Sequence, residues 1–265
     1  MPIFHTCGMT MPFEELISRA LVSDTDDERW EIVAALHRRG DAGIFEAAAR
    51  LCAGDLSGER ELGADVLAQL GHRGDAKPFL DRSLPILREM ARRECDPKVL
   101  RSVLFALGHL GDGRALPEVL NSAGHSHNGV RYAAAWSLPN VMRTDDAEAV
   151  AALVRISRET DDDENRECAT TGLAGLDADD TAIREALSVR LDDAVVVVAA
   201  EAAYGLARRG DRRAERVVRR YLAAPDGNDY TCSLMEWTAE ELGDAELLTQ
   251  VRASRVSVCA EPPAC

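Results

Sequence analysis

The chain has 265 residues, of which 46% are hydrophobic and only 5% aromatic, and its formal net charge is −15. This charge argues against binding to phosphate backbones or anionic membranes, because the overall field repels them. The scarcity of aromatic residues, with Ala and Leu dominating the apolar share, argues against an all-β protein and is typical of closely packed helices.

The cysteines and the hydropathy pattern indicate a compartment. Seven cysteines occur without a CxxC pair, which argues against a disulfide framework and fits a reducing environment. No stretch approaches the 18 or more apolar residues of a membrane span, and the first twelve residues lack the basic and apolar regions of a signal peptide. We therefore expect a soluble, cytoplasmic protein.

In chain order, residues 1–12 are predicted to form an arm and residues 13–24 a lone capping helix. Helical hairpins follow, each marked by an aspartate after its first helix, at intervals of 32 to 37 residues: Asp41, Asp75, Asp112, Asp145, Asp177, Asp211 and Asp244. Internal repeats of this length are typical of solenoids. We therefore predict an all-α fold, an α-solenoid of about seven two-helix repeats over residues 13–253 with an irregular tail at 254–265.

The phrase before the aspartate explains the turn. In AALHRRGD (34–41) and YGLARRGD (204–211), glycine takes the left-handed conformation that ends a helix, and the aspartate caps the next helix. The fourth and fifth repeats lack the glycine before the aspartate, and Pro85 is expected to interrupt the second helix of the second repeat.

The repeats resemble the short HEAT repeats of the phycobilisome-lyase type over residues 26–250. An arginine stands seven residues before a leucine in several repeats, at Arg29, Arg60, Arg131 and Arg166. The resemblance implies the solenoid fold, which hosts many activities. We interpret the four arginines, here called the arginine ladder, as structural groups that pair with the aspartate of an adjacent repeat.

The sixth repeat carries a second arginine cluster. Its members recur at helical spacing and predict one broad basic face: Arg208, Arg209, Arg212, Arg213, Arg216, Arg219 and Arg220. This arginine cluster is the candidate binding site, for an anion or an acidic partner. The alternative interpretation is a solvated face that Asp192, Asp193 and Glu201 neutralise.

No metal or cofactor is predicted. His37, His72 and His109 occupy related repeat positions about 10 Å apart, too far to share one ion, and His125 and His127 have no cysteine or carboxylate beside them at ligand spacing. Among the cysteines, those within helical patterns are expected in the core, whereas the terminal ones are available to react or pair. The core set is Cys52, Cys168 and Cys232, and the terminal set is Cys7, Cys259 and Cys265.

These observations predict a non-catalytic scaffold or adaptor that holds a protein partner on the second helices of its repeats. One alternative is a lyase or chaperone-lyase of the bilin-lyase HEAT type, acting on a protein-bound or small-molecule substrate. Another is an immunity or inhibitor protein for a cationic toxin or enzyme. Trp30, Trp136 and Trp237 lie in first helices. HEAT-like alkylpurine DNA glycosylases use aromatic and acidic residues on a basic concave surface, but the net charge of this chain argues against binding of nucleic acid.

Overall fold

The computed structural model describes residues 11–23, 25–143, 146–159, 162–224 and 228–258, with side chains in the last helix to residue 254. The chain divides into two compact units, 1–141 and 142–265. Unit 1 contains α1 (Phe13–Val22), α2 (Asp26–Arg39), α3 (Ala42–Cys52), α4 (Ser57–Gln69), α5 (Leu80–Arg93), α6 (Pro97–Leu110), α7 (Leu116–Ser122) and α8 (Asn128–Val141). Unit 2 contains α9 (Ala147–Ile156), α10 (Asp163–Gly175), α11 (Thr181–Arg190), α12 (Val196–Ala207), α13 (Glu215–Ala223), α14 (Asp229–Glu241) and α15 (Ala245–Val258).

The predicted all-α solenoid fold is confirmed. Every regular element in the described ranges is helical, and short 3-10 turns precede α7 and α13. Each second helix packs on the first helix that follows it, as α3 does on α4, α5 on α6 and α11 on α12. The even-numbered helices are the first helices of their repeats. The division between the units falls inside the fourth repeat, between α8 and α9. The boundaries of a single solenoid domain over 13–253 stay a prediction.

The first helices lie unusually close together. In unit 1, α6 contacts α4 and α8, and Ser137 of α8 donates a hydrogen bond of 2.8 Å to the carbonyl of Leu104. A Cβ on Gly108 would lie 2.7 Å from the Trp136 ring. In unit 2, a Cβ on Gly205 would lie 2.8 Å from Ala174 of α10. Only glycine permits these two approaches, because real Cβ atoms do not come so near.

The predicted turn chemistry is confirmed at four repeats. Gly40, Gly111, Gly210 and Gly243 all have positive φ angles, between 58° and 68°. The aspartates that follow them accept hydrogen bonds from the backbone at the start of the next helical segment: Asp41 from Ile44, Asp112 from Arg114, Asp211 from Arg213 and Asp244 from Leu247. Each cap satisfies a donor that the helix itself leaves free.

Two repeats depart from this pattern. Asp180, not Asp177, caps α11, since it stands directly before the helix and accepts from the N–H of Ile183. Asp75 caps nothing, because the chain there makes a separate loop with Gly71 and Gly74 in the left-handed conformation, and α5 begins only at Leu80. Asp145 lies outside the described residues.

Two further expectations are corrected. Pro85 lies inside a continuous α5 instead of interrupting it. The missing N–H costs one helical hydrogen bond, but Leu84, Leu87 and Met90 bury this helix in the core, which offsets that loss. At the other end, α15 continues to Val258, beyond the predicted helix end at 253. The arm at residues 1–10 and the last seven residues lie outside the described ranges.

Candidate functional site

The arginine ladder holds successive repeats together, as predicted. Within each unit, the guanidinium of a first helix binds a carboxylate of the following repeat, and the carboxylates are nearly inaccessible to solvent. The ion pairs are Arg29 with Asp65 at 2.5 Å, Arg60 with Glu94 at 2.8 Å and Arg166 with Asp193 at 2.9 Å. The partner of Arg60 is thus a glutamate and not the predicted aspartate. Arg131 donates to the carbonyls of His125 and Ser126. These arginines are therefore part of the framework.

The structure separates Arg208 and Arg209 from the rest of the arginine cluster. The Arg209 guanidinium donates to the carbonyls of Leu173, Leu176 and Ala178 at 3.2, 2.6 and 2.9 Å, where α10 ends. Burial lowers the pKa of this guanidinium from its ordinary value. Arg208 binds Asp177 at 2.7 Å and the nearby Ala174 carbonyl at 2.8 Å. Both side chains satisfy the end of a neighbouring helix.

The other five arginines of the cluster are exposed around α13, and each has a partner. The contacts are Arg212 with Glu215, Arg213 with Asp211, Arg216 with Asp192, Arg219 with Glu215 and Arg220 with the Leu191 carbonyl. Asp192 is thus a neutralising group, as the alternative interpretation expected. Asp193 and Glu201 are not, because Asp193 binds Arg166 and Arg190 and Glu201 accepts from Tyr230. Binding of a partner by these arginines stays a prediction.

A groove of about 620 Å³ lies on the first helices of unit 1. It is called here the first-helix groove, and the residues that define it come from α2, α4, α6 and α8: Trp30, Asp65, Lys98, Arg101, Phe105, His109 and Trp136, together with Asp26, His37, Glu61 and Gln69. Trp30 at its edge is 50% exposed. The Phe105 and Trp136 rings meet edge to face, with centroids 5.3 Å apart. The groove therefore offers aromatic surface held in a fixed geometry.

Asp65 lies at the floor of this groove beside its partner Arg29. Burial raises the pKa of Asp65 to about 6, although the nearby Arg29 charge and hydrogen bond act in the opposite direction. His37 makes a 2.9 Å hydrogen bond through its Nε2 to the Asp65 carbonyl, and burial lowers the pKa of this imidazole. Burial likewise lowers the pKa of His109, whose ring lies 4.8 Å from that of Trp136. The floor is therefore largely desolvated.

The walls of the groove carry charges of both signs. Asp26 on α2 and Glu61 on α4 are acidic, whereas the exposed Lys98 and Arg101 on α6 are basic. Within the described ranges, none of these four groups has an ion-pair partner. Arg101 instead lies over the Phe105 ring, 5.5 Å from its centroid. The groove can therefore bind a partner that presents both carboxylates and cations.

The second helices, where the sequence placed the binding face, also form a groove. It has a volume of about 820 Å³ and lies between α3 and α5, with Ala49, Ile86 and Met90 at its floor. Its charged groups include Arg60 and Glu94, which already bind each other. This larger groove therefore offers fewer unpaired groups than the first-helix groove does.

The histidines do not assemble a metal site in the part of the chain that the structure describes, where no group of three or more potential ligands is found. Burial lowers the pKa of His72 to about 4. His125 accepts a 3.0 Å hydrogen bond from the His127 N–H through Nδ1. Cys52 and Cys232 are buried as predicted, Cys168 is half-buried, and the exposed Cys95 was not singled out by sequence. Cys7, Cys259 and Cys265 lie outside the described residues.

Sequence reasoning missed the groove, although a signal for it exists. Phe105, Trp136 and Tyr204 each stand two residues before a buried leucine of the first helix, at Leu107, Leu138 and Leu206. The position repeats, so aromatic side chains recur on the same helix face. An alignment of the repeats on this leucine would have revealed the aromatic surface, which the three tryptophans considered one by one did not.

Comparison with known proteins supports the repeat assignment. A family model for HEAT repeats matches residues 84–174. The chain carries HEAT repeats over this stretch. No curated protein matches its sequence. None of the helices in the described ranges combines the length and hydrophobicity needed to cross a lipid bilayer.

Solved structures agree on the fold. YibA of Escherichia coli is similar with a TM-score of 0.69 and 22% identity, over 93% of this chain and 87% of YibA. The complex of CpcE and CpcF of phycocyanin lyase from Nostoc sp. PCC7120 has a TM-score of 0.54 and 16% identity, over 97% and 98%. The HEAT-like repeats protein of Thermococcus onnurineus NA1 has a TM-score of 0.53 and 15% identity, over 91% and 98%. At these identities the likeness concerns the fold alone.

Proposed function

We propose that this chain is a non-catalytic scaffold or adaptor that holds a protein partner, and that the first-helix groove of unit 1 is its binding surface. The observation that carries the proposal is the combination of aromatic rings with unpaired charges of both signs on neighbouring helices. Aromatic anchors surrounded by polar groups are the usual energetic centre of protein interfaces.

The spacing of the charges favours a protein segment over a small metabolite. Neighbouring helices lie about 8–10 Å apart, so an occupant that reaches from Asp26 on α2 to Arg101 on α6 spans roughly 20 Å. An extended peptide covers that distance with about six residues. It would place its own cations near Asp26 and Glu61 and its carboxylates near Lys98 and Arg101.

Affinity capture with matched variants tests this proposal. Lys98→Glu with Arg101→Glu reverses two unpaired charges of the groove, and Arg212→Glu with Arg216→Glu makes the same charge change in the arginine cluster. Each variant and the wild type are used to capture proteins from the native lysate, which mass spectrometry identifies. We expect a protein that the wild type and the cluster variant retain and the groove variant loses.

The other outcomes separate the alternatives. A partner lost only by the cluster variant would keep the binding function and move the site to the arginines predicted from sequence. A cationic partner that both variants retain would favour an inhibitor that uses its acidic surface. Co-purification of a chromophore or metabolite without a protein would favour the lyase alternative, for which the present support is the fold shared with CpcE and CpcF.

A further inference from the structure

The first helices of unit 2 form a separate surface, called here the acidic aromatic face. It consists of Glu167 on α10, Glu201 and Tyr204 on α12, and Tyr230 and Trp237 on α14. Burial is the main reason why the pKa of Tyr230 is raised, and the charges of Glu201 and Glu167 raise it further. These groups therefore lie close to one another. The Tyr230 hydroxyl donates a short hydrogen bond to Glu201.

Glu201 differs from the other buried carboxylates. It is 3% exposed, yet within the described ranges neither Glu201 nor Glu167 has an ion-pair partner. Burial is the main reason why the pKa of each is raised, and the neighbouring carboxylates Glu164 and Glu167 add to it. By contrast, several carboxylate side chains that are at most 7% exposed each bind arginine: Asp65, Glu94, Glu118 and Asp193.

A buried carboxylate without a cation is costly to ionise, so a folded protein rarely retains one without compensation. Across the repeats, that compensation is a guanidinium supplied by a neighbouring helix. Glu201 accepts hydrogen bonds from the hydroxyls of Tyr230 and Thr171, but no element of the described chain supplies a guanidinium. The position therefore has the charge complement of a bound cation.

The aromatic side chains around Glu201 suit the same ligand. Tyr230 and Trp237 are 44% and 43% exposed, and the Tyr204 and Trp237 ring centroids lie 5.8 Å apart. Arg208 lies 6.0 Å from the Tyr204 centroid, but Asp177 already binds its guanidinium. Aromatic faces attract ammonium and guanidinium groups, most strongly where water is excluded.

We propose that the acidic aromatic face is a second docking site, which binds an arginine or lysine side chain presented by a protein partner. The partly exposed carboxylate of Glu167 would pair with the cation, the buried Glu201 would add its negative charge, and the Tyr204, Tyr230 and Trp237 rings would pack on the planar or methylene portion of the cation. The inference does not rest on the groove of unit 1, since it concerns other helices and a different ligand chemistry. The carboxylates repel phosphates, so a nucleic acid does not fit this face.

Single-charge peptides test the proposal without the nonspecific attraction of polycations to an acidic protein. The probes are the capped peptide Gly-Ser-Arg-Ser-Gly, its lysine counterpart, and a control in which neutral citrulline replaces the arginine. Binding to the full chain is followed by Trp fluorescence and by NMR titration at about 150 mM salt, where distant charges are screened. We expect the arginine or lysine peptide to bind and the citrulline peptide to bind at least about tenfold more weakly.

Matched variants assign the site. Glu167→Gln with Glu201→Gln removes two charges from the face, and Glu148→Gln with Glu185→Gln removes two from exposed positions on α9 and α11. The first pair is expected to weaken binding about tenfold and the second to leave it unchanged. Equal weakening by both pairs, or equal binding of the citrulline peptide, would overturn the proposal.

A third variant covers the possibility that loss of the buried carboxylates unfolds the chain, which circular dichroism reports. Trp237→Ala changes an exposed side chain and leaves both carboxylates in place. It is expected to weaken binding of the arginine peptide about threefold to tenfold. Unchanged binding by a folded Trp237→Ala variant would also contradict the site.

Discussion

Arg209 and Arg219 have the same side chain and similar sequence surroundings, but different environments. Arg209 bonds to several backbone carbonyls at the end of α10, whereas Arg219 is exposed and binds Glu215 of its own helix. Carbonyls at a helix end have no partner within the helix, so removing the group that satisfies them leaves buried acceptors unpaired. The energetic weight of each arginine follows from the element it contacts.

Replacing these two arginines should therefore have unequal effects. We expect Arg209→Gln to lower the free energy of unfolding by about 2–3 kcal/mol, because a shorter amide does not reach the carbonyls of Leu173, Leu176 and Ala178. Arg219→Gln is the control and should leave the stability unchanged within error. Urea denaturation followed by circular dichroism measures both. Equal losses would mean that Arg209 acts through its charge alone.

Asp65 predicts a pH dependence with a definite sign. Its pKa is raised from 3.8 to about 6 in the folded protein, so between these values the folded chain keeps a proton that the unfolded chain has lost. The free energy of unfolding therefore falls as pH rises through this window. The free energy of unfolding of Asp65→Asn, relative to that of the wild type, should therefore rise by about 1 kcal/mol between pH 5 and pH 8.

Subtracting the two curves removes the contribution of the histidines. The pKa values of His37, His72 and His109 are lowered by burial, so both proteins lose stability as pH falls below about 6.5. Urea denaturation at several pH values gives the difference. Parallel curves for Asp65→Asn and wild type would show that Asp65 stays ionised beside Arg29 throughout.

At the scale of elements, the close approach of first helices makes one glycine critical and another dispensable. A methyl group on Gly205 would lie 2.8 Å from Ala174 and 2.9 Å from Leu187, whereas one on Gly175 would meet nothing within 4 Å. We expect Gly205→Ala to lower the free energy of unfolding by about 1–3 kcal/mol. Gly175→Ala should raise it by up to about 1 kcal/mol, since alanine favours the helix. Thermal and urea unfolding check both signs, and a neutral Gly205→Ala would show that α10 and α12 separate easily.

The elements themselves were predictable because their signals are local. The pair Gly40 and Asp41 ends one helix and begins the next through φ angles and a cap that neighbouring residues determine. Asp177 and Asp180 show the limit of this reasoning: both suit a cap, and the one directly before the helix forms it. The interruption of α5 at Pro85 was predicted wrongly, because the local cost of proline was weighed without the burial of the surrounding leucines.

The candidate surfaces were not predictable in the same way. Asp65 and Lys98 are separated by a complete repeat, and their proximity depends on how neighbouring first helices pack. The spacing of Arg209 predicts an exposed cation, yet the turn after α10 brings the Leu176 carbonyl within 2.6 Å of its guanidinium. The repeat is visible in the sequence, but the contacts between neighbouring repeats determine which charged side chains are already paired within the protein.

At the scale of the whole molecule, stability should be distributed along the array. Each repeat packs mainly on its neighbours, so a local defect weakens nearby repeats most. Hydrogen exchange of Gly205→Ala should accelerate in α10, α11 and α12 and leave amides of α4 and α6 unchanged. Mass spectrometry of peptic fragments resolves these helices. Uniform acceleration would show that the two compact units unfold together.

The ion pairs of the arginine ladder also make the order of the repeats matter. The arginine recurs at one repeat position, but its partner does not: Asp65 lies within α4, whereas Glu94 and Asp193 lie in the segments before α6 and α12. A duplicated or transposed repeat would bring its arginine next to a neighbour that lacks the matching acid. Duplication of a single repeat would thus leave buried charges without a partner. A viable duplication would have to copy the arginine and its acid together.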